Sequence, residues 1–512
     1  MPRSPGILSS STDGGAVAVR IGQEPVERSS NPGRRSQALA VARLLPLFAL
    51  VLLCVALVAF AAHGASILSP TVISRSYPAW MSGPLRGLWP AAIPRTQTVE
   101  RMVTVAFGLL FLAYLLVLRG AQRMHPGWIV GAIVAVQLTF LLSPPLEYTD
   151  VFNYINYARM GVVHHLNPYA TLPLYEPHND PAYGLSNWHY LLSPYGQLFT
   201  LITYALVPLG VAGSFWALKI VMGLCSLGLL ALVWRVARLL GRSPQLAVAL
   251  VGLNPIVIVW GLGGEHNEFL MMLLVFAAIY LLIAPRLRGE PAGQERDAPA
   301  PARTGLFGSE LAAGVMLVAA VGIKSPAVIF LPLALAIAPR RRPLLVGMGA
   351  AAVVLVGVSL LAFGPHLGGV GAQSKLVSPE GLSNLLGIVL GLGGATSGLR
   401  TVLTGMAAIV ILMSAARALK RPMDAFECGC VTAVALIVTL GWSAPWYVLW
   451  ALPFAALVAS NRWRRLLLAY TAYALIACSP SLAEIEDALH FHPRADRLGR
   501  EEVRYFDHLG AQ

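Results

Sequence analysis

Apolar runs long enough to cross hydrocarbon recur along this chain, for example over residues 44–61, 102–118 and 344–363. They are continuous rather than alternating, which predicts helices and not the strands of a membrane barrel. Short polar joints separate them, and most joints carry arginine. Arg34, Arg35 and Arg43 come first, then Arg119 and Arg123, then Arg235, Arg238 and Arg242. The pattern returns at 286–303, 340–342, 417–421 and 462–465. Cationic loops stay on the cytoplasmic side, so the joints fix the direction of each crossing.

Counting crossings this way predicts an all-α polytopic membrane protein with about 13 transmembrane helices, the N-terminus inside and the C-terminus outside. Spans are expected to start near residues 43, 101, 127, 214, 244, 267, 307, 326, 343, 398, 426, 445 and 463. Two apolar stretches, 198–209 and 214–234, fall where only one crossing fits. The first is short and opens with Pro194-Tyr195-Gly196, so it is read as an interfacial or re-entrant helix. The expected organisation is a disordered cytoplasmic tail (1–42), a first membrane module (43–285), a cytoplasmic linker (286–306), a second module (307–480) and an external tail (481–512). The first module contains a long external loop, 144–196, with interfacial helices. The first apolar run is read as a retained span rather than a cleaved leader.

Composition agrees. Hydrophobic residues make up 56% of the chain and charged ones only 12%, about half of what a soluble domain carries. The net charge of +13 does not point to nucleic acid, because the cations sit in the joints between spans, where membrane lipid is the partner. The five cysteines, Cys54, Cys225, Cys428, Cys430 and Cys478, form neither a disulfide framework nor a zinc spacing.

Ionisable residues are costly near hydrocarbon, so those that remain are candidates for function. Crossing parity gathers one set of them on the outer face. The segment SPPLEYTDVFNYINYARMGVVHHLNPY, 143–169, places Glu147 and Asp150 beyond an apolar helix, with Arg159, His164 and His165 behind them. Residues 150–161 alternate as a helix lying on the membrane would, so Asp150 is either a helix cap or a general base, roles that are compatible. Glu147 is either a second acid or a solvated carboxylate. Gly263-Gly264-Glu265-His266-Asn267-Glu268 puts a tight turn and four polar groups at the mouth of another helix, suited to sugar hydroxyls or to orienting a carboxylate. Lys324 either snorkels to headgroups or neutralises a lipid-linked phosphate, and Lys219 has the same two readings. The aromatics Trp188, Tyr190, Tyr195, Trp442, Trp446, Tyr447 and Trp450 are explained by interfacial belts, with one or two left to line a sugar groove. A transporter is the main competing class, but the two halves show no internal repeat.

Taken together, these segments resemble the polyprenol-phosphate-mannose-dependent α-1,6-mannosyltransferases of actinobacterial lipomannan and lipoarabinomannan assembly. The resemblance rests on SPPLEYTDVFNY (143–154), GVVHHLNPY (161–169), SPYGQL (193–198), NPIVIVWGLGGEHNE (254–268), GIKSPAVIFLP (322–332) and WYVLWALP (446–453). It implies a GT-C-type fold in the plasma membrane with its active site on the external face. It places Asp150 at the family's catalytic position; Glu147, Arg159, Asn167, Tyr169, Tyr195, His266, Asn267, Glu268 and Lys324 are the candidate substrate-binding residues. The implied donor is polyprenyl-phosphate-mannose, and the implied acceptor is a lipid-linked mannan or phosphatidylinositol-mannoside-type lipid. No cofactor is required; a divalent metal on His266 with Glu265 or Glu268 stays open as an alternative but is not indicated. The chain departs from the family pattern at Tyr148-Thr149-Asp150, where Ser-Arg-Asp is usual, at His266-Asn267-Glu268 for His-Asn-Asp, and at Tyr195-Gly196-Gln197 for Tyr-Gly-Pro.

Overall fold

Local sequence sets the helix ends. Thr96 accepts a hydrogen bond from the Val99 N–H to open one helix, Ser243 does so from Leu246 N–H, and Thr396 from Leu399 N–H. Proline occupies the first turn of the helices at Pro126 and Pro244, where its missing N–H costs nothing. The structure is a computed structural model that describes residues 32–60, 68, 78–85, 96–146, 149–289, 305–366, 370–373, 375–498 and 500. The chain forms two units, Met1–Ala42 and Arg43–Gln512.

The described residues contain helices and no strand. In chain order the α-helices are α1 (Pro32–Ala59), α2 (Gln97–Gly120), α3 (Pro126–Leu141), α4 (Thr149–Val162), α5 (Gln197–Tyr204) and α6 (Gly210–Leu239). Next come α7 (Pro244–Gly252), α8 (Glu268–Leu287), α9 (Gly305–Ile323), α10 (Leu331–Ile337), α11 (Arg341–Phe363) and α12 (Val370–Gln373). The last are α13 (Leu382–Val389), α14 (Ser397–Lys420), α15 (Ala425–Thr439), α16 (Leu452–Ala455), α17 (Asn461–Ala477) and α18 (Leu482–Leu489). An element begins at or near every expected span start except the first, where α1 already runs from Pro32 through residue 43. Six helices among the described residues are long and apolar enough to cross a membrane, or seven if the bent pair α17–α18 counts as one span. Others are shorter: α7 has 9 residues and stops at Asn254-Pro255. There the Asn254 side chain accepts from the N–H groups of Ile256 and Val257, at 3.0 and 3.3 Å, and starts a π-helical stretch, Val257–Leu262. That stretch delivers the chain into the 263–267 turn.

The helix expected over 150–161 forms as α4, but it does not lie on a surface: residues 150–158 are buried, with Phe152 stacked on Phe215 and Tyr154 packed on Tyr195 and Phe199. The short stretch at 198–209 is α5 followed by a 3-10 turn. Most of the expected linker, 290–304, lies outside the described residues.

Along α8 and α9, arginine lies at one end and the polar candidates at the other. Glu268 opens α8 and Arg286 closes it, 20 residues in all, or about 30 Å. At the arginine end, Arg286 donates to the Ile337 carbonyl at 2.6 Å and Arg340 pairs with Glu310 at 3.2 Å. Arg417 binds Asp424 and Glu427, and Glu427 also takes Arg462 and the Trp463 indole N–H. At the other end of α9, beyond Ile323, stands Lys324.

Residues 195–196 cross the α9 terminus closely. Gly196 N–H donates to Ile323 carbonyl at 3.1 Å, and a Cβ on Gly196 would overlap the Gly322 carbonyl. Gly196→Ala is therefore expected to cost about 1–3 kcal/mol of stability, read as a lower unfolding midpoint in detergent. Gly184→Ala, which meets open space, should leave the midpoint unchanged.

Candidate active site

Asp150 stands in the first turn of α4, 8% exposed. The Tyr195 hydroxyl donates to one carboxylate oxygen at 3.0 Å, and His266 Nδ1 lies 3.0 Å from the other. The Tyr154 hydroxyl is 3.5 Å from that second oxygen. Burial pushes the Asp150 carboxyl up. The His266 hydrogen bond and charge, the Lys324 charge and the Tyr195 hydroxyl outweigh burial and hold it below the usual carboxylate range. At neutral pH the group is an ionised, hydrogen-bonded carboxylate whose orientation is fixed from two sides.

His266 is fully buried, its ring stacked on Trp446 with centroids 3.6 Å apart. Trp446 also donates its indole N–H to Glu268 Oε1 at 3.0 Å. Lys324 Nζ pairs with the same Glu268 oxygen and sits 5.3 Å from the Tyr447 ring. Lys324 thus turns inward to a buried carboxylate and does not snorkel. Asn267 is fully buried; its backbone N–H donates to the Tyr154 hydroxyl at 3.3 Å, and its side-chain amide has no hydrogen-bond partner among the described residues. The aromatics near 442–450 are packed into the protein rather than forming a belt: Tyr447 and Trp450 are buried and stacked at 4.2 Å.

The remaining candidates organise the loop around Asp150. Arg159 makes a two-pronged pair with Asp180, at 2.9 and 2.8 Å, which His164 joins at 2.7 Å. Asn167 donates to the Phe363 carbonyl at 2.6 Å, and the Tyr169 hydroxyl donates to the Tyr195 carbonyl at 3.0 Å. Tyr169 therefore steadies the residue that holds Asp150. Glu147 lies outside the described residues. Among the described residues no three His, Cys, Asp or Glu side chains are grouped to hold a metal ion.

Sequence reasoning passed over Asn153, Asn156, Glu176 and Asp180. Their signal was faint: two asparagines one helical turn apart from charged neighbours on α4, and two lone carboxylates in a loop. Asn153 Oδ1 accepts from the N–H groups of Asn187 and Trp188, both at 3.1 Å, and Asn156 donates to Glu176 at 2.6 Å. Burial pushes the Glu176 carboxyl up to about 7; the Asn156 hydrogen bond opposes this, and the Asp180 charge adds to it. An acid raised on folding binds its proton more tightly when folded. Its stabilisation is complete below the unfolded value of 4.5 and is lost as pH rises through about 7. The unfolding midpoint should fall between pH 5 and pH 8, and Glu176→Gln should flatten that dependence.

Residues 52–340 match the family described as "Alpha-(1->6)-mannopyranosyltransferase, N-terminal domain", more than half of the chain. The chain belongs to this family. Residues 380–490 match a second family described as "MptB C-terminal domain". Alpha-(1->6)-mannopyranosyltransferase A of Mycobacterium tuberculosis is 29% identical over 63% of this chain and 63% of its own length. A second alpha-(1->6)-mannopyranosyltransferase of that organism is 24% identical over 62% of this chain and 64% of its own. A probable alpha-(1->6)-mannopyranosyltransferase of Mycolicibacterium smegmatis is 29% identical over 39% and 37%. The match thus spans less than two thirds of these relatives. No solved structure matches the chain. Asp150, Tyr195, His266, Glu268 and Lys324 fall within the first match and Trp446 within the second.

Proposed function

We propose that the chain is an inverting, multispanning glycosyltransferase of GT-C type. It moves mannose from polyprenyl-phosphate-mannose to a growing α-1,6-mannan on the outer face of the plasma membrane. The observation that carries this reading is Asp150, ionised and clamped between Tyr195 and His266, within reach of the Lys324 charge. An acceptor hydroxyl has a high pKa and needs a base within hydrogen-bond distance. Asp150 takes that proton as the hydroxyl oxygen bonds to the anomeric carbon. The bond from that carbon to the phosphate oxygen breaks on the opposite face, so the configuration inverts. Negative charge grows on the departing polyprenyl phosphate, and Lys324, whose charge reaches Asp150, is the cation that meets it.

The orientation is supported by the separation of arginines from these groups along α8 and α9, since the arginine end belongs in the cytoplasm. About 13 crossings follow if the short helices pair end to end into spans. The names of the relatives support mannose and the α-1,6 linkage. The test incubates purified protein with polyprenyl-phosphate-mannose and a short α-1,6-mannoside. Extension with a new α-1,6 bond, seen by mass spectrometry and NMR, is expected; extension only with another polyprenyl-phosphate sugar would replace mannose in this reading.

A further inference from the structure

Lys219 lies about a third of the way along the apolar helix α6, only 4% exposed, and no step above uses it. Its Nζ donates to the Ser143 carbonyl at 2.6 Å and pairs with Glu265 Oε1 at 3.0 Å. The Phe215 and Trp216 rings wall it in, each 5.3 Å from Nζ. Its two partners lie on different segments. Ser143 ends the approach to Asp150, and Glu265 precedes His266. A backbone bond joins the same two segments, from Leu146 N–H to the Gly263 carbonyl at 2.9 Å. Glu265 itself has φ +51°, a left-handed conformation unusual for a residue with a side chain. Something must hold that turn, and the ammonium is placed to do so.

We propose that Lys219 is a positioning residue: with Glu265 it pins the segment bearing His266 to the segment bearing Asp150. This rests on the assignment of Asp150 and His266 above, and it excludes Lys219 from the donor-phosphate site. The ammonium is held by a carbonyl and a carboxylate and walled in by two aromatic rings. Removing it leaves a buried carboxylate and a buried carbonyl uncompensated, which favours opening of both segments. A displacement near 1 Å of a catalytic pair can lower turnover about 10²-fold.

Two readouts on the full-length protein in detergent test this. Lys219→Met is expected to lower kcat about 10²-fold with the donor KM unchanged. Amide hydrogen exchange should rise in peptides covering 143–150 and 261–268 and stay constant in α14. Lys219→Met combined with Glu265→Gln removes the stranded charge and should restore the unfolding midpoint, while keeping the faster exchange and the low kcat. Exchange needs no substrate, so it reports on the staple even if the sugar assignment is wrong. Unchanged exchange in both segments would overturn the proposal. So would a raised donor KM at constant kcat, which would make Lys219 a donor-binding group.

Discussion

Asp150→Asn is expected to reduce sugar transfer about 10²–10⁴-fold while leaving the protein folded. The amide keeps the shape and still accepts from the Tyr195 hydroxyl, which reaches Oδ1 at 3.0 Å. It loses the charge that His266 and Lys324 stabilise and cannot take up the acceptor's proton. Because those partners lower the Asp150 pKa, its carboxylate persists until pH falls below the usual range. Rate loss on acidification between pH 7 and 5 must then come from another group. Donor titrations and initial rates on the variant check this. Near-normal turnover would leave Asp150 as no more than a helix cap, and Glu147→Gln beside it would show which carboxylate serves as base.

The second large effect belongs to the Lys324–Glu268 pair. Lys324→Met strands a fully buried carboxylate, and breaking a buried pair from one side costs about 3–5 kcal/mol. The unfolding midpoint should drop sharply. On the proposed mechanism, transfer should also fall about 10²–10³-fold, since the charge assigned to the leaving phosphate is lost. Adding Glu268→Gln removes the stranded charge and is expected to recover the midpoint without recovering activity or donor affinity. If the double variant turned over normally, the pair would be structural alone, and the departing phosphate would need another cation.

The helices were legible because apolar runs and their caps are local. α4 was visible from the helical alternation over 150–161, and a helical element begins near each expected start but the first, which α1 precedes. Span number was harder to read, because α7 and the turn at Pro445 are apolar enough to count as crossings yet too short to make one. Asp150, His266, Glu268 and Lys324 stood out as polar groups at helix ends and Tyr195 as an aromatic beside the membrane, and the fold brings them together. Arg159, Asn167 and Tyr169 stood out as polar groups in the segment after Asp150, but their side chains serve the loop. Composition cannot separate a residue facing substrate from one facing a neighbouring loop when both are polar and lie beside the membrane. Asn153 and Asp180 were invisible because each works through partners some 20 to 35 residues away. Trp446 was masked by the commonness of tryptophan at membrane borders.

That tryptophan ties together two parts of the chain that match separately. One indole packs on His266 and hydrogen-bonds Glu268, so the C-terminal part contributes directly to the candidate site rather than standing apart from it. The two parts are therefore not freely interchangeable between family members. A hybrid joining residues 1–340 to a foreign C-terminal part inherits working chemistry only if the incoming segment brings an aromatic N–H donor to the place of Trp446.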